Sequence, residues 1–167
     1  SNDEYDVNIT SFTGKFSGNG YSIKNVDFNA PDDNYIGLFG FNNGLITDLY
    51  VENAKIVGRS CAGGICANNG GLGTIRNCAF SGTVQGVQYA GGICGSNAGT
   101  VVNCYSTGNI IGDRCAGGIA GDNASIGKIQ YCCSVGKVSG GDSVGSIAGQ
   151  NVDVENTKNC YYNKDVC

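Results

Sequence analysis

Ten cysteines, nine tyrosines and 14 acidic residues carry the reactive and ligand-contacting chemistry of this 167-residue chain, which has no histidine, methionine or tryptophan. Without histidine there is no Ser-His-Asp or Cys-His arrangement, no His-containing zinc site and no side chain that titrates near neutrality at its ordinary pKa. The thiols recur at regular intervals: Cys78, Cys104, Cys132 and Cys160 are 26, 28 and 28 residues apart, and Cys66 and Cys94 are 28 apart. No C-x-x-C pair occurs, so a zinc site made of four cysteines lacks its usual ligand spacing and no metal is expected. Glycosidic-bond chemistry needs two carboxylates about 5–9.5 Å apart. Asp113 with Arg114, Asp122, Asp142 and Arg59 are the candidates for it, although solvated carboxylates are common at such loop positions.

The elements that must position these groups follow from a repeat. A glycine-led motif recurs at Gly37-Leu38-Phe39, Gly63-Gly64-Ile65, Gly91-Gly92-Ile93, Gly117-Gly118-Ile119 and Gly145-Ser146-Ile147. Six residues after its first glycine each copy reaches an asparagine: Asn43, Asn69, Asn97, Asn123 and Asn151. A second landmark reads Ile46-Thr47-Asp48-Leu49, Ile75-Arg76-Asn77-Cys78, Val101-Val102-Asn103-Cys104, Ile129-Gln130-Tyr131-Cys132 and Thr157-Lys158-Asn159-Cys160, with Ile23-Lys24-Asn25-Val26 as a copy ahead of them. The third is a β-branched residue two before a glycine, as in Ile56/Gly58, Val84/Gly86, Ile110/Gly112 and Val138/Gly140.

Each unit thus holds three short apolar stretches separated by Gly, Asn, Ser or Asp, and none is long enough for a helix of about 10–12 residues. The expected fold is all-β, a single-stranded parallel β-helix (β-solenoid) with about 26–28 residues and three short strands per coil, coils stacking at about 4.8 Å. Residues 1–34 are expected to form an N-terminal lead-in or capping coil, 35–162 five solenoid coils and 163–167 a C-terminal tail. Asn43, Asn69, Asn97, Asn123 and Asn151 then stack as an amide ladder. Cys78, Cys104, Cys132 and Cys160 fall in the interior slot of Val26 and Leu49 as a ladder of packed thiols, and Cys66 and Cys94 in a small-residue slot with Gly40, Ala120 and Ala148. Cys61 and Cys115 share a column with Tyr35, Tyr89 and Ser143 where exposure is expected. They sit two coils apart, about 10 Å, too far for a disulfide. Cys133 faces away from Cys132, and Cys167 lies beyond the last repeat.

Composition narrows function further. A net charge of −4 and a pI near 4.6 are the opposite of the basic footprint of a nucleic-acid binder. No run approaches the roughly 18 apolar residues of a membrane helix, and the acidic start is not a signal-peptide n-region. The chain lacks an initiator methionine and reads as an excerpt of a longer precursor.

The patterns Tyr35-Ile-Gly-Leu-Phe-Gly, Tyr89-Ala-Gly-Gly-Ile-Cys-Gly, Asn103-Cys-Tyr-Ser-Thr-Gly and Asn159-Cys-Tyr-Tyr resemble the GLUG repeat, and the lead-in from Phe12 to Ile23 is similar to the stretch that precedes such repeats. The resemblance implies an accessory β-solenoid region of large bacterial surface proteins, among them adhesin-like proteins and IgA-specific metallopeptidases. The zinc motif of those peptidases contains histidine, so no catalytic residue carries over.

Taken together, these readings describe a non-catalytic segment of a secreted or cell-surface protein acting as an adhesin-like binding module or stalk, without a cofactor. The expected ligand surface is the column Tyr50, Tyr105 and Tyr161, alternating with Ala79 and Cys133 and facing away from the cysteine ladder. Tyrosine rings in a row stack on sugars, and ordinary flank packing produces the same column. Expected partners are a host glycan or surface protein, neighbouring domains of the parent chain and, through the open solenoid end, a second copy end to end. The alternative is a carbohydrate-active enzyme of the polysaccharide lyase or hydrolase kind, or an accessory region of a surface peptidase.

Overall fold

The computed structural model describes residues 11–164. Cys167 and most of the expected tail lie outside the described residues. The chain is an all-β solenoid of stacked parallel strands, as its repeat predicts. A residue that starts a strand in one coil starts it again about 27 residues later, so each strand pairs with its own repeat rather than with a chain neighbour.

Four parallel sheets run along the axis instead of the three expected. One stacks Lys15–Ser17, Leu45–Thr47, Thr74–Arg76, Thr100–Val102, Lys128–Gln130 and Thr157–Lys158. A second is built around Ser22–Lys24, Tyr50–Gly58, Ala79–Gly86, Tyr105–Ser106, Cys133–Ser134 and Tyr161–Tyr162. The extra sheet arises at the glycine-led motif. Read as one apolar stretch, this motif is in fact an arc between two strands: Tyr89–Gly91 belongs to one sheet and Cys94–Asn97 to the next. The two sheets meet so closely that a Cβ on Gly95 or Gly121 would lie 2.6–2.9 Å from backbone atoms of the facing strand, which leaves room for glycine alone.

The interior is a set of columns. Ile46, Ile75, Val101 and Ile129 stack in register and are fully buried, as are Ile56, Val84 and Ile110. The second landmark marks a sharp corner, where Asp48, Asn77, Asn103, Tyr131 and Asn159 all take φ of 52–54°. Asparagine and aspartate adopt this left-handed conformation at least cost among non-glycine residues.

The first coils depart from the expected alignment in two places. Ser22–Lys24 pairs with Tyr50–Glu52 and Asp27–Asn29 with Lys55–Val57. Val26 therefore lies level with Ala54, and only Leu49 precedes the cysteines in their slot. One coil later, Phe39 stacks on Cys66 and Asn42 on Asn69. The arc after Gly37 is one residue shorter than the later ones, so Phe39 rather than Gly40 occupies the small-residue slot.

Candidate functional site

The asparagine ladder runs through fully buried Asn42, Asn69, Asn97 and Asn123 to Asn151. Each Nδ2 donates to the Oδ1 of the next coil, at 2.8 Å for the first three steps and 3.0 Å for the last. Asn43 stands one position off this ladder and donates instead to Ser11 Oγ at 2.8 Å. Asn42 is the residue that sequence reasoning missed. The Asn42-Asn43 doublet offers two amides, and the shorter arc turns the first one inward.

The cysteine column holds free thiols packed against backbone. Cys104 Sγ donates to Val102 O at 3.4 Å and Ile75 O at 3.7 Å, Cys132 to Gln130 O and Val101 O, and Cys160 to Lys158 O and Ile129 O. Within the column burial pushes Cys104 well up, while hydrogen bonding with the Cys104 thiol holds Cys78 and Cys132 down; in the neighbouring slot burial raises Cys94 and drives Cys66 up to about 12. A neutral buried thiol is a poor nucleophile and a poor metal ligand. All nine cysteines among the described residues are unbridged.

Cys61 and Cys115 do share a column with Tyr35, Tyr89 and Ser143. The expected exposure fails, however, because they are 5% and 7% accessible. Cys115 Sγ lies 3.8 Å from Oε1 of Gln150, a side chain of the neighbouring sheet. Burial and, secondarily, the Asp122 carboxylate push Cys61 up to about 12.

Asp122 itself has a carboxyl held above the ordinary range by burial, partly offset by a hydrogen bond from Ser96 Oγ at 3.3 Å. The folded form keeps its proton at pH values where the unfolded chain has lost it. Native protons then exceed unfolded ones in that window, and stability falls as pH rises through it. Asp122→Asn should therefore gain stability over the parent as pH is raised from about 3 to about 7, read as the difference in urea midpoints. A variant less stable than the parent at the upper pH would show that the carboxylate is stabilised there. Of the other candidate acid groups, Asp142 pairs with Arg114, Oδ2 to Nε 3.8 Å, on the exposed surface.

Tyr50, Ala79, Tyr105, Cys133 and Tyr161 form one column on the outer face of the second sheet. The tyrosines are 39%, 42% and 70% exposed. Their chain neighbours Leu49, Cys104 and Cys160 point into the interior, as alternation along a strand requires. Two residues along the strands Glu52, Ser81 and Thr107 share the outer face. A groove of about 250 Å³ lies between Tyr50 and Tyr105, with Ala79 on its floor.

Residues 58–85 match the GLUG motif. Over 87 residues, 51% of this chain, the sequence is 38% identical to halomucin of Haloquadratum walsbyi, of which those residues cover 1%. The fold superposes on a Bacteroides ovatus chain provisionally named an immunoglobulin A1 protease, with a TM-score of 0.73 and 27% identity, covering 91% of this chain and 60% of that one. The chain thus spans a small fraction of halomucin and about three-fifths of the Bacteroides chain. No helix among the described residues is long and apolar enough to cross a membrane.

Proposed function

We propose that this GLUG-motif solenoid is a non-catalytic segment of a secreted or cell-surface protein, serving as an adhesin-like module that presents its tyrosine flank to a ligand. The observation that carries the reading is the exposed column of Tyr50, Tyr105 and Tyr161 beside a groove, on a sheet whose other face is core. Aromatic rings with a polar tip supply contact area at low conformational cost, which is why tyrosine is enriched in binding surfaces. Coil-to-coil hydrogen bonding and the amide ladder make the platform stiff, so little ordering accompanies binding. The likeness to halomucin supports a place at the cell surface. The likeness to the Bacteroides chain supports a second reading, an accessory region beside a peptidase.

The test is binding of the 167-residue chain to an array of glycans, mucins and matrix proteins, beside the triple variant Tyr50→Ala/Tyr105→Ala/Tyr161→Ala. The expected result is binding by the parent and its loss in a triple variant that keeps the parent's circular dichroism spectrum. Silence from the parent across the array would overturn the adhesive reading in favour of a spacer.

A further inference from the structure

We propose that the tyrosine flank binds an extended β-1,4-linked glycan laid along the solenoid axis, with one sugar ring seated between Tyr50 and Tyr105 over Ala79. This inference rests on the adhesive reading and names its ligand class. Tyrosines stand on every second coil of the column, because Ala79 and Cys133 intervene. Two coils advance about 10 Å along the axis. That distance is close to the two-sugar repeat of a flat, ribbon-like β-1,4 chain, which turns the same edge to a surface at every second ring. A coiled α-linked chain has no such straight repeat.

The groove has the two kinds of surface a pyranose needs. Tyr50 and Tyr105 wall it, Ala79 floors it and Glu52, Ser81 and Thr107 run along one edge. One C–H face of the seated ring meets the Ala79 floor, the rings before and after it in the chain stack over Tyr50 and Tyr105, and the equatorial hydroxyls meet the polar edge. Glu52 is held in place as an acceptor, since Ser22 Oγ donates to Oε1 and Lys24 Nζ lies 3.0 Å from Oε2. Ser81 Oγ accepts from Asn53 N–H at 3.2 Å, which leaves its proton for a ligand oxygen. An anionic sugar would face the Glu52 carboxylate, so the fitting chains are neutral or N-acetylated.

Alanine at position 79 is what opens the groove, because its neighbours in the same register are tyrosines. Ala79→Tyr fills the gap with a residue that the fold already accepts one coil away on either side. Isothermal titration of the 167-residue chain with cellohexaose and hexa-N-acetylchitohexaose, with maltohexaose as the α-linked control, tests the proposal.

The parent should bind at least one β-linked probe and maltohexaose at least about tenfold more weakly, and Ala79→Tyr and Tyr105→Ala should each weaken binding about tenfold or more while melting like the parent. Binding of a β-linked probe that both variants retain would overturn the proposal and leave an adhesive module with its site elsewhere. Failure of every hexasaccharide alongside binding to a protein on the array would overturn it too, and leave the adhesive reading intact. If nothing binds in either experiment, both fall.

Discussion

Gly117→Ala should abolish the native fold, leaving a chain without a cooperative thermal transition. A Cβ at this position would lie 1.8 Å from Ala120 O, 2.6 Å from Gly149 N and 2.8 Å from Ala120 C. Every one of these atoms is backbone, and all belong to the arc or the next coil, so no side-chain rotation relieves the clash. The obstacle is space rather than φ, and the coils before and after repeat it: Gly63, Gly91 and Gly145 would each place a Cβ 1.9 Å from the equivalent carbonyl oxygen. Accommodation would require prising apart two sheets whose separation is set by glycine, at the expense of hydrogen bonds to the coils on both sides. Losses above about 4–5 kcal/mol are confined to such mechanisms, and this one reaches that range. Gly71→Ala is the control, since only Ile126 Cδ1 at 3.5 Å would meet the new methyl. Circular dichroism melts of the two variants decide the matter. A Gly117→Ala chain that melts within a few degrees of the parent would mean that the arc opens freely.

Asn97→Ala should be the most damaging single change to a ladder side chain. Asn97 is fully buried, accepts from Asn69 Nδ2 at 2.8 Å and donates to Asn123 Oδ1 at 2.8 Å and Lys128 O at 3.3 Å. Truncation leaves a donor on Asn69 and an acceptor on Asn123 without their in-line partners. A stranded buried polar group costs about 1–3 kcal/mol, so two of them cost roughly 2–6 kcal/mol, and Asn69 recovers part through its 3.4 Å contacts to Gly73 O and Thr100 O. A net loss of about 3 kcal/mol is expected, measured as a lower urea midpoint at unchanged slope. Asn43→Ala, outside the ladder, should cost well under half as much. Equal effects at the two positions would show that the stacked amides add nothing beyond an ordinary partly buried hydrogen bond.

The same ladder shows where sequence reading succeeds and where it stops. That asparagines stack at all is legible, because a period of 26–28 residues that equals one coil puts every landmark in a column. For the same reason the parallel all-β fold, the interior cysteines and the alternation of tyrosines with Ala79 and Cys133 follow from spacing alone. The identity of the first ladder residue does not. Asn42 and Asn43 are chemically equivalent, and only the length of the arc after Gly37 decides which of them faces inward.

What the tertiary structure alone decided shares one cause: it depends on the lateral approach of strands from different sheets, which a repeat period does not encode. The glycine-led motif contains enough apolar residues to read as one strand. It becomes two because the chain reverses there and the facing backbones come within a methyl group of each other. Cys61 and Cys115 look exposed in a column shared with tyrosine, yet both are buried, and Cys115 is in contact with Gln150 of the next sheet, 35 positions away. Periodicity, a property of the covalent chain, determined the solenoid, its columns and which residue types fill them. Distance between sheets, which only packing sets, determined which of those columns are sealed and which remain open to a ligand.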